Sequence, residues 1–344
     1  MKKGFKAKTE ESRRKERLDR GIKVRTAGIY AISSYREMLY LLAPRLILVL
    51  GLLALPLILQ GAYLQRVLFI ACIYALLAVG YDFLAHYTGL ICLGGALFVG
   101  VGGYLSGALN FTFGWNIALT IPIATIIGAL ICTILLLPAL PLRGIYFALV
   151  SFMYPLLLPR IVSALDILGG TDGIVGLNRF PNIWVSLYLV IVALLVLAFS
   201  LRRLVNEDIG LVFRGVKDND QAVRASGISI TLFKARAVFI AALAGCFGGA
   251  CLSHLYGWVG MSLFGLEFSI FPIAATVVGG GGTLIGPLLG ALLLTPLSEF
   301  LREFGTWRIV AYAFILASFI AFLPEGLMSY FQRKYHQFER WREV

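Results

Sequence analysis

Residues 202–236 read RRLVNEDIGLVFRGVKDNDQAVRASGISITLFKAR, a long polar interval in a chain that is otherwise almost continuously apolar from Leu46 to Leu323. Polar backbone and charge are tolerated in water and expelled from lipid, so this interval divides an apolar region of membrane type. Within it, Asp218 to Gly227 is predicted to form one short helix. Asp218, Asn219 and Asp220 supply acceptors for the unpaired N–H groups of a first turn, and Gly227 supplies the left-handed residue that ends a helix. A helix of roughly ten residues is marginal in water by itself. Ala222, Val223, Ala225 and Ser226 are small or apolar enough to let a partner surface come close. Two readings stand at this point: a solvated connector between two spans, or a helix docked against another protein.

Hydrophobic residues make up 59% of the chain, charged residues 14%, and the mean hydropathy is +0.87. That balance belongs to a chain whose solvent is lipid. The net charge of +12 would suggest nucleic acid in a soluble protein, so its placement decides its meaning. Of the 30 Lys and Arg residues, thirteen fall in residues 1–45, seven in the polar interval and four in residues 326–344. Basic residues beside spans mark the cytoplasmic side. The two terminal segments and the polar interval are therefore expected in the cytoplasm, on a lipid bilayer, and nucleic-acid binding does not explain the charge.

The five cysteines, Cys72, Cys92, Cys132, Cys246 and Cys251, sit inside apolar runs without C-x-x-C spacing and read as small reduced core residues. Met1 to Arg45 carries charge throughout and no early apolar core, unlike a cleavable signal peptide. It reads as a tail favouring anionic headgroups. His254 and His336 have no carboxylate or cysteine at ligand spacing, so no metal site is expected.

A bilayer crossing needs about 20 apolar residues. The stretches 46–62, 67–84, 90–109, 117–138, 145–162, 183–201, 237–255, 268–278, 284–301 and 309–323 give about ten spans, an even number that suits two cytoplasmic termini. The eighth is short and contains Pro272, as a broken or re-entrant piece would. The expected fold is an all-α polytopic membrane protein with a basic tail at 1–45, a membrane-spanning body at 46–325 and a second tail at 326–344. The polar interval splits the body into halves of about five spans each, which fits an inverted repeat.

Gly103 and Gly107, Gly245 and Gly249, and Gly282, Gly286 and Gly290 recur every four residues, a spacing that stacks them on one helix face for close packing. Two tracts are denser than packing requires: GLICLGGALFVGVGGY at 89–104 and VGGGGTLIGP at 278–287. Such runs interrupt helices, and an interrupted helix must turn its free backbone groups toward protein or a cavity. Both tracts are candidates for lining a polar pathway.

Five segments are identified, in order and spacing, with a known family: HYTGLICLGGALFVGVGGY (86–104), LRGIYFALVSF (142–152), GGTDGIVGL (169–177), FRGVKDNDQAVRASGI (213–228) and VVGGGGTLIGPLLGA (277–291). The chain resembles the permease subunits of bacterial branched-chain amino acid ABC importers, the LivM type, over nearly all of residues 46–330. The resemblance implies the type II importer fold of the vitamin B12 importers, with about ten spans. It implies a second, related permease, two cytoplasmic ATPase subunits, a periplasmic substrate-binding protein and a bacterial inner-membrane location. It also implies that the segment around Arg214, Lys217, Asp218, Asn219, Asp220, Ala222, Val223 and Gly227 couples to the ATPase. No G-x-x-x-x-G-K-[ST] occurs, so ATP is expected to be used by the partners and no cofactor by this chain.

The first segment departs from the family's usual GYAGQLSLGHAAFFGIGAY. Leu90, Cys92 and Gly95 stand where the family carries a polar residue, a serine and a histidine, and His86 replaces its first glycine. The tract is thus more apolar. Leu90 is shared with urea-type permeases, which keeps urea or small amides as alternative cargo. Candidate pathway residues are Asp82, Tyr87, Thr88, Gly89, Cys92, Gly95 and Tyr104. Asp82 is an ionisable group near the inner end of a span, where it needs a partner or water. Glu267, Thr171 and Asp172 fall on the outer side, where turns and surface contacts are their ordinary roles.

Two other classes are weighed. An ion-driven secondary transporter needs ionisable groups deep in several spans, and apart from Asp82 almost none is present. A membrane enzyme would show H-E-x-x-H, G-x-S-x-G or paired intramembrane carboxylates, and none occurs.

Overall fold

A computed structural model of the chain describes residues 35–59, 61–142, 144–305, 307–323 and 326–330. The predicted tails therefore lie outside the described residues apart from 35–45 and 326–330, as do Arg143 and His336. Two compact units are distinguished, residues 1–51 and 52–344. In the first, the described residues belong to α1 (Tyr35–Ile58), the helix that carries the first apolar stretch.

The second unit is helical. In chain order it contains α2 (Ala62–Asp82), α3 (Gly95–Phe113), α4 (Ile117–Leu136), α5 (Ile145–Leu165), α6 (Ile183–Asn206), α7 (Asp208–Asp218), α8 (Asp220–Ala225), α9 (Ile230–Tyr256), α10 (Glu267–Gly279), α11 (Gly286–Phe300) and α12 (Trp307–Phe322). Among the described residues, seven helical stretches are long and apolar enough to cross a membrane; 46–58 and 286–300 are shorter apolar helices. The chain is thus a multi-pass membrane protein. Six of the helices carrying apolar stretches precede α7–α8 and four follow, so the polar interval divides them unevenly.

Helix α9, 27 residues long, rises about 40 Å and exceeds the roughly 30 Å hydrocarbon core. With α2 it forms the centre: α9 packs on α3, α4 and α2, while α2 also packs on α6, α10 and α11. Small residues set the α3–α9 crossing. A side chain at Gly249 would run into the Val99 carbonyl, and one at Gly102 into the Cys246 backbone. This is the close backbone approach that small residues give membrane helices.

The two ends of α9 differ. Beyond its C-terminus, β1 (Ile174–Val175) pairs antiparallel with β2 (Trp258–Val259), a two-residue exception to an all-helical architecture. Leu177 N–H donates to the Gly257 carbonyl at 3.3 Å and the Trp258 indole donates to the Asp172 carbonyl at 3.1 Å. The loop holding GGTDG is thereby clasped to the end of α9. At the N-terminal end lie α7 and α8.

Candidate functional site

The predicted single helix over 218–227 is in fact the second of two. The chain bends at Asn219, which is extended at φ −154° and ψ 96°, and helix resumes at Asp220. The Asn219 side chain accepts from the N–H groups of Gln221 and Ala222, so one residue performs the capping that the sequence spread over Asp218, Asn219 and Asp220. At the other end Gly227, at φ +79°, donates to the Arg224 carbonyl and Ile228 N–H donates to Val223, the paired bonds of a Schellman ending.

Helix α7 is the part that sequence reasoning missed. Its Gly210, Phe213 and Val216 recur every three residues and are buried. Phe213 sits edge-on to Phe83 at 5.4 Å and to Phe233 at 5.9 Å. Helix α8 has no buried residue; Ala222, Arg224, Ala225 and Gly227 are exposed and Val223 is half-buried against Gly215. A helix anchored along one buried face thus carries a short, capped, exposed one.

The end of α2 meets α7. Residues Phe83–Tyr87 continue α2 as a π-helical turn, a wider winding that occurs mostly in single turns and often at functional sites. Asp82, the last residue before it, is fully buried. Its Oδ1 accepts from Gly282 N–H at 2.6 Å and from His86 Nδ1 at 2.8 Å, and its Oδ2 accepts from Leu284 N–H at 3.0 Å. Three N–H donors converge on one carboxylate, which is how a buried charge is made tolerable. Tyr87 donates its hydroxyl to the Gly282 carbonyl at 2.6 Å, and the Arg214 guanidinium lies 5.6 Å from the Tyr87 ring centre. Lys217 Nζ donates to the His86 carbonyl at 2.9 Å and its stem lies against Gly89. Asp82, Tyr87, Gly89, Arg214 and Lys217, drawn from two candidate sets, therefore form one junction with the 280–286 loop.

The other pathway candidates separate. Thr88 turns its hydroxyl back to the Leu84 carbonyl at 2.7 Å. Cys92 and Gly95 line a narrow cleft with Leu77, Leu84, Phe98 and Phe268. Here α3 starts against α10: Ala96 N–H donates to Ser269 Oγ at 3.0 Å, and Leu93 N–H donates to Ser151 Oγ at 2.9 Å. Pro272 has no N–H to return to the Phe268 carbonyl, and that carbonyl faces Gly95, where any side chain would collide with it. Tyr104 lies two to three turns further along α3, with its ring 5.6 Å from Phe264 and a buried hydroxyl that has no hydrogen-bond partner among the described residues.

Ser151, Ser269 and His254 were not singled out as site residues, and each is a small or polar residue in an apolar run. His254 is fully buried, with Nδ1 2.8 Å from the Asn178 carbonyl and Nε2 2.9 Å from Ser106 Oγ. A carbonyl only accepts, so the Nδ1 proton is fixed and Nε2 accepts from the serine. Asn110 adds Oδ1 to Asn178 N–H at 3.0 Å. His254→Leu leaves the Ser106 hydroxyl and the Asn178 carbonyl without this partner, at about 1–3 kcal/mol for each buried orphan. The expected result is faster hydrogen exchange across 172–180 with exchange in α2 unchanged.

Bilayer-length helices, glycine crossings and helix interruptions that face protein define a polytopic membrane protein, an architecture consistent with a permease. The comparisons with known proteins agree. Residues 63–323 match the family described as branched-chain amino acid transport system / permease component. The high-affinity branched-chain amino acid transport system permease protein LivM of Salmonella typhimurium is 26% identical over 287 residues, covering 74% of this chain and 68% of the relative; the LivM of Escherichia coli gives the same figures. The probable LivM of Methanocaldococcus jannaschii is 25% identical over 242 residues, covering 61% and 69%. No solved structure matches. The chain belongs to the permease-component family of branched-chain amino acid transport systems, and is a transport component, not an enzyme.

Proposed function

We propose that this chain is the membrane-spanning permease of an ABC importer that carries branched-chain amino acids across a bacterial inner membrane. In this reading both termini are cytoplasmic and residues 46–325 are the permease body, with ten membrane elements in the type II importer arrangement. The chain pairs with a second, related permease, rests on two cytoplasmic ATPases and takes substrate from a periplasmic binding protein. ATP is bound and hydrolysed by the partners.

The observation that carries the proposal is the exposed, doubly capped α8 mounted on α7, which is anchored through its buried Gly210, Phe213 and Val216 face. Small exposed residues on a pre-formed helix cost little ordering entropy to dock, which suits a contact that must transmit force. The cleft has the leucine and phenylalanine walls that an aliphatic side chain needs, with Tyr81 and Ser269 among them as polar groups.

The test is purification of the tagged chain from native membranes in mild detergent, with mass spectrometry of what accompanies it. Two Walker-motif ATPases and a second permease are expected. Recovery of the chain alone, with liposome transport driven by an ion gradient and no ATP, would overturn the reading in favour of a secondary transporter.

A further inference from the structure

Asp82 and Gly282 are 200 residues apart in sequence and share a 2.6 Å hydrogen bond. The loop that Asp82 holds is under local strain. Leu284 adopts φ +59°, a conformation that costs a residue with a side chain on the order of 1 kcal/mol and persists only where surroundings impose it. Asp82 Oδ2 grips the N–H of that same residue. Inside the loop, Thr283 donates to the Gly280 carbonyl at 2.8 Å and accepts from Gly286 N–H at 2.9 Å, so the loop is tied across its two ends.

From α7 two routes lead to this loop. One runs from Phe213 to Phe83, next to Asp82, and so to Gly282 and Leu284. The other runs from Arg214 to the Tyr87 ring and through its hydroxyl to the Gly282 carbonyl. Lys217 ties α7 to the His86 carbonyl between them. The loop in turn joins α10 to α11, and α10 carries Phe268 and Ser269, which face Gly95 and Ala96 at the cleft. We infer that Asp82 is a positioning residue: it latches the π-helical turn to the 280–286 loop, so that displacement of α7–α8 shifts α10 against the start of α3 and opens or closes the cleft. This rests on the reading that α7–α8 receive the partner's movement.

The experiment uses the complete assembly, co-purified with its own ATPases, partner permease and binding protein, in proteoliposomes. Substrate carried per ATP hydrolysed is measured for the wild type, Asp82→Asn, Tyr87→Phe and the double variant. Asparagine at 82 sets an NH2 donor against N–H donors, whereas phenylalanine at 87 removes a single hydroxyl. Asp82→Asn is expected to assemble and hydrolyse ATP while transport per ATP falls about tenfold, a common size for coupling between sites. Tyr87→Phe is expected to lower it about threefold, with the two effects non-additive because they act on one loop. An unchanged ratio, or parallel loss of transport and hydrolysis in an assembled complex, overturns the latch and leaves Asp82 a structural prop. If Asp82→Asn fails to assemble, Tyr87→Phe decides, and an unchanged ratio there overturns it. A wild-type assembly without ATP-dependent transport overturns the importer reading itself, a result separable from any variant's.

Discussion

Gly249→Val is expected to leave no monodisperse, folded protein after extraction in mild detergent, although the chain is still synthesised and inserted. A Cβ added at this position already collides with the Val99 carbonyl and the Gly103 backbone of α3. Side chains can change rotamer to admit a methyl group; two facing helix backbones can only separate. Over-packing of an ordinary core costs about 1–3 kcal/mol, and here the obstacle is backbone, so the upper end or beyond is expected. Separation of α3 from α9 would also pull on Gly102, whose own crossing on Cys246 lies about one turn along the same seam. Size-exclusion chromatography with a fluorescent fusion checks the outcome. Gly51→Ala is the control, because nothing lies within 4 Å of a Cβ built there and alanine favours helix by up to about 1 kcal/mol. A Gly249→Val chain that elutes and melts like the wild type would mean that the seam is not what holds α3 on α9.

Much of this fold is legible in the sequence because lipid removes alternatives. An apolar run bounded by polar residues has to be a helix, and nine of the ten expected stretches begin within seven residues of the start of the helix that carries them. The glycine spacings pointed to close packing, and Gly103, Gly245, Gly249 and Gly290 do lie against neighbouring helices, whereas Gly282, at φ +79°, lies in the loop before α11 and not on a helix face with Gly286 and Gly290. What could not be read is long-range pairing among polar groups. Asp82 was conspicuous as an ionisable residue in a span, and His86 one turn on is a partner that helical spacing offers, yet its other two partners are backbone N–H groups at 282 and 284, which carry no sequence signature. For the same reason Ser269 was invisible: its role is to cap a helix start 173 residues away. Helix α7 was missed for a different cause. Its apolar face is short and interrupted by Gly210 and Gly215, residues that disfavour helix until tertiary packing of Phe213 and Val216 compensates.

Ala222→Glu is expected to abolish transport and release the ATPases while sparing the permease fold. The position is chosen on the structure. Ala222 is exposed, it is the third residue of α8, and its N–H is already held by the Asn219 side chain. A carboxylate in the first turn faces the positive end of the helix dipole, so α8 itself should be neutral or slightly stabilised, by about 0.3–1 kcal/mol. The added bulk and charge fall instead on the face offered to a partner, where burying an unpaired carboxylate costs several kcal/mol. One such cost is enough to lower affinity by a factor of a hundred or more. Val223→Asp is the harsher variant, because Val223 also rests on Gly215 and anchors the Schellman ending through its carbonyl. Expression, chromatographic profile and the melting temperature of the isolated permease should therefore match the wild type for Ala222→Glu and drop for Val223→Asp, while both lose co-purifying ATPase. If Ala222→Glu keeps its ATPases and its transport rate, α8 is a solvated connector and force must enter the permease elsewhere.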